Sequence, residues 1–326
     1  MLTEPGHFRP AWWLRGAHAQ TVVARFLRPR KTVSLRRQRW HTPDGDFLDL
    51  DFVQGEGLRA DVLVLLMHGL EGSSHSGYAL QIYRQLANRG VPAVGLNFRS
   101  CSGEVNRSRR LYHSGETGDP AWVIEQLTAR YPGRRLAAAG VSLGGNVLLK
   151  YLGETGGHSG LEAAAAMSVP FDLAAGARFM EQSVLPRLYV RRLLRTLQAK
   201  LVLRREELGP LVDFNAAVAA RTFREFDDAA TAPLHGFENA DDYYRRSSSG
   251  PFLPEIRTPT LIVHAENDPF LPSQAIPRQA MNDNPAITAR ISAEGGHVGF
   301  AAGTIPFRPI FWAEKTMANW LAEHLS

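Results

Sequence analysis

The chain has 326 residues, 44% of them hydrophobic, which is enough for one large α/β domain with an inserted or appended subdomain. Its formal net charge of +5 comes from 37 basic and 32 acidic residues. The basic residues are scattered except for one cluster, so nucleic-acid binding is not favoured. The single cysteine, Cys101, excludes an intramolecular disulfide and a zinc site made of several cysteines.

The first residues of the chain include proline and charged side chains where a signal peptide needs an apolar stretch. The longest apolar runs, such as 62–67, are far shorter than a membrane-spanning helix. A single cysteine also fits a reducing compartment. We therefore expect a cytoplasmic protein.

Residues 1–60 are predicted to form an N-terminal arm and a β-hairpin that joins the core sheet. Residues 1–30 mix tryptophan and aliphatic side chains with arginines, which predicts a helical arm that packs on the body or contributes to a substrate entrance. Residues 32–53 form two alternating runs around an Asp-Gly turn, the pattern of a hairpin. Acidic side chains in this region lack the glycine and terminal glutamate of a calcium-binding loop, so we predict a solvated strand face. They are Asp46, Asp49 and Asp51.

From residue 61, short continuous apolar runs alternate with helical patterns, which is typical of a parallel sheet covered on both faces. We predict an α/β fold with a mostly parallel central sheet, its core formed by residues 61–169 and 259–326. The predicted strands are 62–67, 93–97, 136–141, 163–169, 260–265 and 287–292. The predicted helices are about 77–88, 119–130, 146–153, 272–281 and 311–324.

Residues 170–258 interrupt this alternation with a helix-like stretch that is too long for a loop, which predicts an inserted helical cap. Apolar side chains recur there at helical spacing, at Val190, Leu194, Leu197 and Leu201. The same stretch holds the basic cluster, Arg187, Arg191, Arg192, Arg195, Lys200, Arg204 and Arg205. This pattern is typical of a lid helix with a solvated face, and also of a helix that lies on an anionic membrane surface.

Residues 140–144, Gly-Val-Ser-Leu-Gly, follow a predicted strand and precede a predicted helix. This context is that of a nucleophile elbow, in which the glycines allow close packing and the serine is held at a strained apex. Ser142 is therefore the candidate nucleophile. It needs a base, because a serine hydroxyl is almost fully protonated at neutral pH.

His297 is the best-placed base among the eleven histidines. It lies in a glycine-rich turn after the last predicted strand, where parallel-sheet enzymes place functional side chains. Its carboxylate partner is predicted to be Asp268 rather than Glu266, because Glu266 directly follows a strand and is expected to be held in sheet packing. The chain order Ser142, Asp268, His297 is that of the α/β-hydrolases.

Two backbone N–H groups are predicted to bind a developing oxyanion. One belongs to Leu143, directly after the candidate nucleophile, and the other to Leu70, in the turn at 68–72 after the first core strand. His68 is interpreted as an anchor of that turn, with the role of base as the weaker alternative.

Two further segments near the candidate site, and the motifs that would bind a metal, remain to be interpreted. Cys101 is interpreted as a small packing residue, and 112–117 as a segment that caps and fixes the start of the following helix. The sequence shows no His-Glu-x-x-His motif and no ligand pair at helical spacing near the elbow. We therefore predict neither a metal nor another cofactor.

Eight segments carry a family resemblance. They are 18–21 (His-Ala-Gln-Thr), 68–73 (His-Gly-Leu-Glu-Gly-Ser), 97–103 (Asn-Phe-Arg-Ser-Cys-Ser-Gly), 111–117 (Leu-Tyr-His-Ser-Gly-Glu-Thr), 140–146 (Gly-Val-Ser-Leu-Gly-Gly-Asn), 226–228 (Phe-Asp-Asp), 231–237 (Thr-Ala-Pro-Leu-His-Gly-Phe) and 264–269 (His-Ala-Glu-Asn-Asp-Pro). Together they resemble the YheT-type branch of the α/β-hydrolase superfamily, over roughly residues 15–325. One departure is Ser100, where the family pattern has glycine, and it affects the expected shape of that loop.

The resemblance implies an α/β-hydrolase fold with an inserted helical cap, and a serine hydrolase of the carboxylesterase or lipase type. By this resemblance the triad falls on Ser142, Asp268 and His297, but the identity of the substrate does not carry over. We expect a small-molecule ester with a short to medium or lipid-like chain. An acyl-enzyme can also pass its acyl group to an alcohol, so an acyltransferase or ester synthase is the alternative. A non-catalytic binding protein on the same scaffold is the third hypothesis.

Overall fold

A computed structural model of the protein describes residues 7–29, 33–182 and 184–326. Positions 1–6 and 30 of the predicted arm, and position 32 at the start of the predicted hairpin, lie outside the described residues. The strands of the main sheet are β1 (Ser34–His41), β2 (Phe47–Gln54), β3 (Val62–Met67), β4 (Ala93–Asn97), β5 (Arg135–Val141), β6 (Ala163–Met167), β7 (Thr260–Ala265) and β8 (Ile287–Ser292). Two short strands, β9 (Ala301–Ala302) and β10 (Ile310–Phe311), form a separate pair.

The main sheet has the strand order β1-β2-β4-β3-β5-β6-β7-β8. The hairpin of β1 and β2 joins it through an antiparallel contact between β2 and β4. From β4 to β8 all neighbouring strands are parallel. The predicted hairpin and mostly parallel sheet are confirmed.

Helices flank the sheet and fill the interval between β6 and β7. They are α1 (Ala17–Leu27), α2 (Gly77–Ala87), α3 (Gly118–Arg130), α4 (Leu143–Thr155), α5 (Leu173–Glu181), α6 (Val184–Leu203), α7 (Arg205–Leu208), α8 (Phe214–Ala219), α9 (Phe223–Phe226), α10 (Ala232–His235), α11 (Ala240–Ser247), α12 (Arg278–Asp283) and α13 (Trp312–His324). A π-helix (Asp227–Thr231) connects α9 to α10, and the remaining helical turns are of the 3₁₀ type. The boundaries of the predicted cap, 170–258, and of the other predicted segments stay predictions.

The core lies on both faces of the sheet, because side chains alternate along each strand. Leu63 and Leu65 of β3 belong to a buried cluster that also contains side chains of α3 and α4. Val62 and Val64 belong to a second cluster, which contains side chains of α2 and α13. The continuous apolar runs that predict these strands therefore reflect burial on two sides.

Two predicted element boundaries are wrong for backbone reasons. The strand predicted at 163–169 ends at Met167, because Ser168 has a φ of 53°, which an extended strand does not accommodate. The helix predicted at 272–281 is instead a 3₁₀ turn (Ser273–Ala275) followed by α12. Pro277 separates them, since a proline disfavours the helical conformation of the residue before it, and Ile276 is extended.

The predicted solvated acidic face of the hairpin is wrong. The three aspartates are at most 1% exposed, and each forms an ion pair with an arginine. The pairs are Arg37 with Asp51 at 2.9 Å, Arg39 with Asp49 at 2.8 Å, and Arg99 with Asp46 at 2.9 Å. β2 lies between β1 and β4, so it is not an edge strand, and the carboxylates of Asp49 and Asp51 need their arginine partners.

The predicted apolar stripe on α6 is confirmed, and the basic cluster divides into two groups. Val190, Leu194 and Leu201 are at most 2% exposed. Lys200 and Arg204 turn inward and are bound by other residues, so the expectation of one common basic face is wrong for these two. The others are exposed, and they are Arg187, Arg191, Arg192, Arg195 and Arg205. Membrane contact through this helix stays a prediction. In the described part of the chain, no helix has the length and apolarity to span a membrane.

Candidate active site

Ser142 occupies a sharp turn between β5 and α4, with φ 54° and ψ −119°. The flanking glycines are required by close packing. A Cβ on Gly140 would lie 2.5 Å from the carbonyl oxygen of Gly144, and a Cβ on Gly144 would lie 2.3 Å from that of Met67. These contacts leave no room for side chains, so this strand-turn-helix has the geometry of a nucleophile elbow.

The structure brings Ser142, His297 and Asp268 into one hydrogen-bonded chain. Ser142 Oγ lies 2.8 Å from His297 Nε2, and His297 Nδ1 lies 2.8 Å from Asp268 Oδ2. Since carboxylate oxygens accept hydrogen bonds, Nδ1–H donates to Asp268, and Nε2 of the neutral ring is left to accept from the serine hydroxyl. The arrangement can remove a proton from Ser142 and orient the imidazole that receives it.

Asp268 is 2% exposed, and its second oxygen accepts the backbone N–H of Phe270 at 2.8 Å. Glu266 faces away from this group and forms an exposed ion pair with Arg278 at 2.5 Å. The expectation that Glu266 is held in sheet packing is wrong, because its side chain is 41% exposed where it pairs with Arg278. Asp268 is nevertheless the carboxylate that reaches His297.

His297 is held in place by the N-terminal arm, a contact that sequence reasoning missed. Its backbone N–H donates to Thr21 Oγ1 at 2.9 Å. A Cβ on Gly296 would lie 2.6 Å from the carbonyl oxygen of Ala17, so this glycine permits α1 to approach the loop. Phe270 stacks on the imidazole with ring centroids 4.3 Å apart. The one available sequence signal is that 18–21 is among the segments that carry the family resemblance.

The proposed oxyanion donors lie beside Ser142. Gly72 N–H donates to the carbonyl oxygen of Gly69 at 3.0 Å, which closes a tight turn with Leu70 at its second position. A Cβ on Gly69 would lie 3.1 Å from Ser142 Cβ, so the turn abuts the serine. The hydrogen bonds of the described residues leave the N–H groups of Leu70 and Leu143 without an internal acceptor.

His68 anchors this turn and does not face Ser142, as the anchor interpretation predicts. Its Nε2 accepts the backbone N–H of Phe98 at 3.1 Å, so Nδ1 carries the proton and donates to the carbonyl oxygen of Gly69 at 2.7 Å. Burial lowers the pKa of His68 to about 4. The ring is therefore neutral at physiological pH.

A cavity of about 520 Å³ lies over Ser142 and His297. Its lining is mostly apolar, and much of it comes from helices between β6 and β7, with α1 on another side. Representative apolar lining residues are Val22, Phe26, Met180, Leu193, Leu197 and Phe226. Because Val22 and Phe26 belong to α1, the interpretation of the arm as part of an entrance gains support. The cavity suits an apolar group attached to the atom that Ser142 would attack.

Three titratable side chains of the cavity wall are shifted by burial. Burial lowers the pKa of His113 and of His235 to about 3, and their rings contact each other with centroids 4.4 Å apart. Burial raises the pKa of Asp227 to about 7, although this carboxyl group accepts hydrogen bonds from Tyr244 and Thr231. The two histidines are therefore neutral at physiological pH, whereas the Asp227 carboxyl group is only partly ionised.

Comparison with known proteins identifies the family. Residues 62–303 match the family model described as the alpha/beta hydrolase fold. The chain is 38% identical to YheT of Escherichia coli over 99% of this chain and 95% of that protein. It belongs to the α/β-hydrolase family. The predicted resemblance to the YheT-type branch is confirmed.

Other relatives of this α/β-hydrolase are named as lipid-ester hydrolases. Phospholipase ABHD3 of Mus musculus is 32% identical over 92% of this chain and 74% of its own length. Monoacylglycerol lipase of Saccharomyces cerevisiae is 30% identical over 89% of this chain and 62% of its own length. Among solved structures, esterase Pf2001 of Pyrococcus furiosus superposes with a TM-score of 0.56 at 15% identity, over 89% of this chain and 93% of that chain. That likeness shows the fold.

Ser100, which departs from the family pattern of this α/β-hydrolase, has a φ of 61°. Glycine would adopt this conformation without strain, whereas serine has to be held in it. Asn106 does so, because its backbone N–H donates to Ser100 Oγ at 3.0 Å and its side-chain oxygen accepts the Ser100 N–H at 2.5 Å. The loop therefore keeps a left-handed residue at this position despite the substitution.

The remaining sequence interpretations concern Cys101 and the segment 112–117. Cys101 is half-buried, and burial raises the pKa of its thiol to about 11, so the thiol is protonated at neutral pH and suits packing. Glu116 accepts the backbone N–H groups of Gly118 and Asp119, at 2.9 and 3.2 Å, which confirms the capping of α3. The residues that the structure describes contain no group of three metal-ligating side chains.

Proposed function

We propose that this α/β-hydrolase hydrolyses carboxylic esters through an acyl-enzyme formed on Ser142. The observation that carries the proposal is the hydrogen-bonded chain from Ser142 through His297 to Asp268, set at the base of a largely apolar cavity. The names of the relatives, an ABHD3 phospholipase and a yeast monoacylglycerol lipase, support an ester as substrate.

The reaction proceeds in two halves. Ser142 Oγ attacks the ester carbonyl as its proton passes to His297 Nε2, and the tetrahedral intermediate collapses with loss of the alcohol, which takes that proton. Water then attacks the acyl-enzyme, again giving a proton to His297, and the carboxylic acid leaves as Ser142 recovers its hydrogen. Asp268 stabilises the imidazolium in both halves without becoming protonated.

The negative charge of each tetrahedral intermediate is accepted by two backbone N–H groups, those of Leu70 and Leu143. Both residues line the cavity together with Ser142, and neither N–H has an internal acceptor among the described residues. Donors that are already oriented lose no energy to reorganisation when the charge develops.

The substrate is an ester whose acyl or alcohol part is apolar, of short to medium or lipid-like length. A cavity of about 520 Å³ falls in the range that holds small organic ligands. Most of the cavity lining is apolar, and the two histidines in its wall are neutral at physiological pH, which favours an apolar group over an ionic one.

The first prediction concerns Ser142. Ser142→Ala removes the nucleophile, and we expect turnover of p-nitrophenyl butyrate to fall by roughly 10⁴ to 10⁶. A fluorophosphonate probe should label the wild-type protein at Ser142 and leave the variant unlabelled. Ser159→Ala is the matched control, since Ser159 directly follows the 3₁₀ turn Gly156–His158 and is not among the residues that line the cavity. A variant at position 142 with normal turnover contradicts the proposal.

The same assay distinguishes hydrolysis from transfer. Adding a primary alcohol to the wild-type protein and analysing products shows whether the acyl group goes to water or to the alcohol. Ester formation as the main outcome replaces hydrolysis by the acyltransferase function. Absence of both turnover and labelling leaves only the binding-protein hypothesis.

A further inference from the structure

The turn at 69–72, which carries the Leu70 N–H, contains a residue whose backbone conformation is unfavourable for its side chain. Glu71 is the third residue of the turn that Gly72 and Gly69 close, and its φ is 53°. Turns with a positive φ at this position normally use glycine or asparagine, because a Cβ is strained there. The shape of the turn, and with it the direction of the Leu70 N–H, therefore depends on contacts that hold Glu71.

Those contacts are made by two side chains, and one of them comes from α6. The Glu71 carboxylate accepts hydrogen bonds from the Tyr112 hydroxyl at 2.8 Å and from Lys200 Nζ at 2.6 Å. Tyr112 also accepts the backbone N–H of Glu71 at 2.7 Å. The Glu71 side chain is 6% exposed and that of Lys200 is 15% exposed, so this is a buried ion pair.

Lys200 has no second carboxylate beside it in the described structure. Its ammonium group contacts Cys101 Sγ at 3.2 Å and lies 5.3 Å from the centre of the Tyr112 ring. Burial lowers the pKa of Lys200, but Cys101 and Glu71 outweigh that effect and hold the pKa above its ordinary value. Without Lys200, a buried carboxylate would be left with no cation, and breaking a buried pair from one side is strongly destabilising.

We propose that Lys200 is a positioning residue, which through Glu71 fixes the turn that presents the Leu70 N–H to the oxyanion. This inference rests on the proposed ester hydrolysis. It makes α6 part of the catalytic arrangement, although no residue of α6 belongs to the hydrogen-bonded chain of Ser142, His297 and Asp268. The donor is correctly placed only while α6 packs against the turn, so the packing of α6 and the organisation of the site are linked.

The test compares Lys200→Met with Lys200→Arg on a short ester, p-nitrophenyl acetate. We expect kcat of Lys200→Met, expressed per fluorophosphonate-labelled serine, to fall about tenfold to a hundredfold, somewhat less than complete loss of an oxyanion donor. KM should stay within about threefold, because Lys200 does not touch the ester. Lys200→Arg retains the cation and should recover most of kcat. Arg195→Met, an exposed position on the same helix, is the matched control and should match the wild type.

A second pair of variants separates positioning from folding. In Lys200→Met, Glu71→Gln removes the uncompensated charge, and the double variant should regain part of the lost kcat, as expected for two groups that act as a pair. An unchanged kcat per labelled serine in Lys200→Met, with only a lower melting temperature, overturns the inference. That result leaves the proposed function intact, whereas a wild-type protein without esterase activity overturns the function itself.

Discussion

Non-glycine residues with positive φ angles gather around the candidate nucleophile. Ser142, Glu71, Ser168 and Val298 have φ values of 54°, 53°, 53° and 55°. Two of them support each other, because the Val298 N–H donates to Ser168 Oγ at 3.0 Å, directly after His297 in the chain. Each such conformation costs roughly 1–3 kcal/mol and persists only where neighbouring contacts impose it. The candidate site is therefore shaped by its surroundings rather than by local preference.

The second prediction tests the choice of carboxylate. Asp268→Asn keeps the side-chain shape but favours the wrong tautomer of His297, so we expect kcat to fall by about 10⁴. Glu266→Gln removes only a half-exposed ion pair with Arg278 and should change kcat by less than about twofold. Ester hydrolysis by the two purified variants, with melting temperatures as a folding control, checks this. A larger loss in Glu266→Gln contradicts the assignment.

At the scale of elements, α1 acts as a support for the loop that carries His297. Gln20 side-chain groups bind the backbone of Ala301 in both directions, at 3.0 and 2.8 Å. Thr21 binds the backbone N–H of His297 itself. Because the same helix lines the cavity, the two interpretations of the arm, packing and entrance, describe two faces of one element.

The third prediction concerns this support. Thr21→Val keeps the shape but removes the acceptor for the His297 N–H, and a part-buried donor without a partner costs about 1–3 kcal/mol. We expect kcat/KM to fall about tenfold, with the fluorophosphonate labelling rate reduced in parallel. Thr21→Ser retains the hydroxyl and is the matched control. Equal losses in the two variants would show that the methyl group, and not the hydrogen bond, is what matters.

The elements that the sequence predicts well are those determined by local pattern. β3, β4, β7 and β8 have the predicted bounds, since continuous apolar runs and turn residues mark both ends. The predictions that are wrong concern residues whose environment depends on side chains from elsewhere in the chain. In the sequence the aspartates of the hairpin have the alternating pattern of a solvent-facing strand. Their burial is favourable only because each forms an ion pair, with Arg37, Arg39 or Arg99.

At the scale of the whole molecule, the candidate site is likewise predictable from sequence only where local patterns determine it. Ser142, Asp268 and His297 are predictable because each stands in a recognisable turn after a strand, at the edge where parallel strands end. The contacts of Thr21 with His297 and of Lys200 with Glu71 join residues 276 and 129 positions apart. No local sequence pattern predicts such a pair, because the contact forms only when distant segments of the chain pack against each other.

The cavity is lined by residues from distant parts of the chain, and the last prediction concerns the size of the substrate that it accepts. In the proposed reaction the backbone donors and Ser142 contact only the ester group, whereas Leu193 of α6 lines the cavity. Leu193→Trp should fill part of the cavity and lower kcat/KM for p-nitrophenyl octanoate at least about tenfold relative to p-nitrophenyl acetate, the scale of a lost or blocked apolar contact. Val202→Trp changes a 50% exposed position on the same helix and should leave the ratio unchanged. An equal fall for both esters in Leu193→Trp would mean that the cavity does not hold the chain of the substrate.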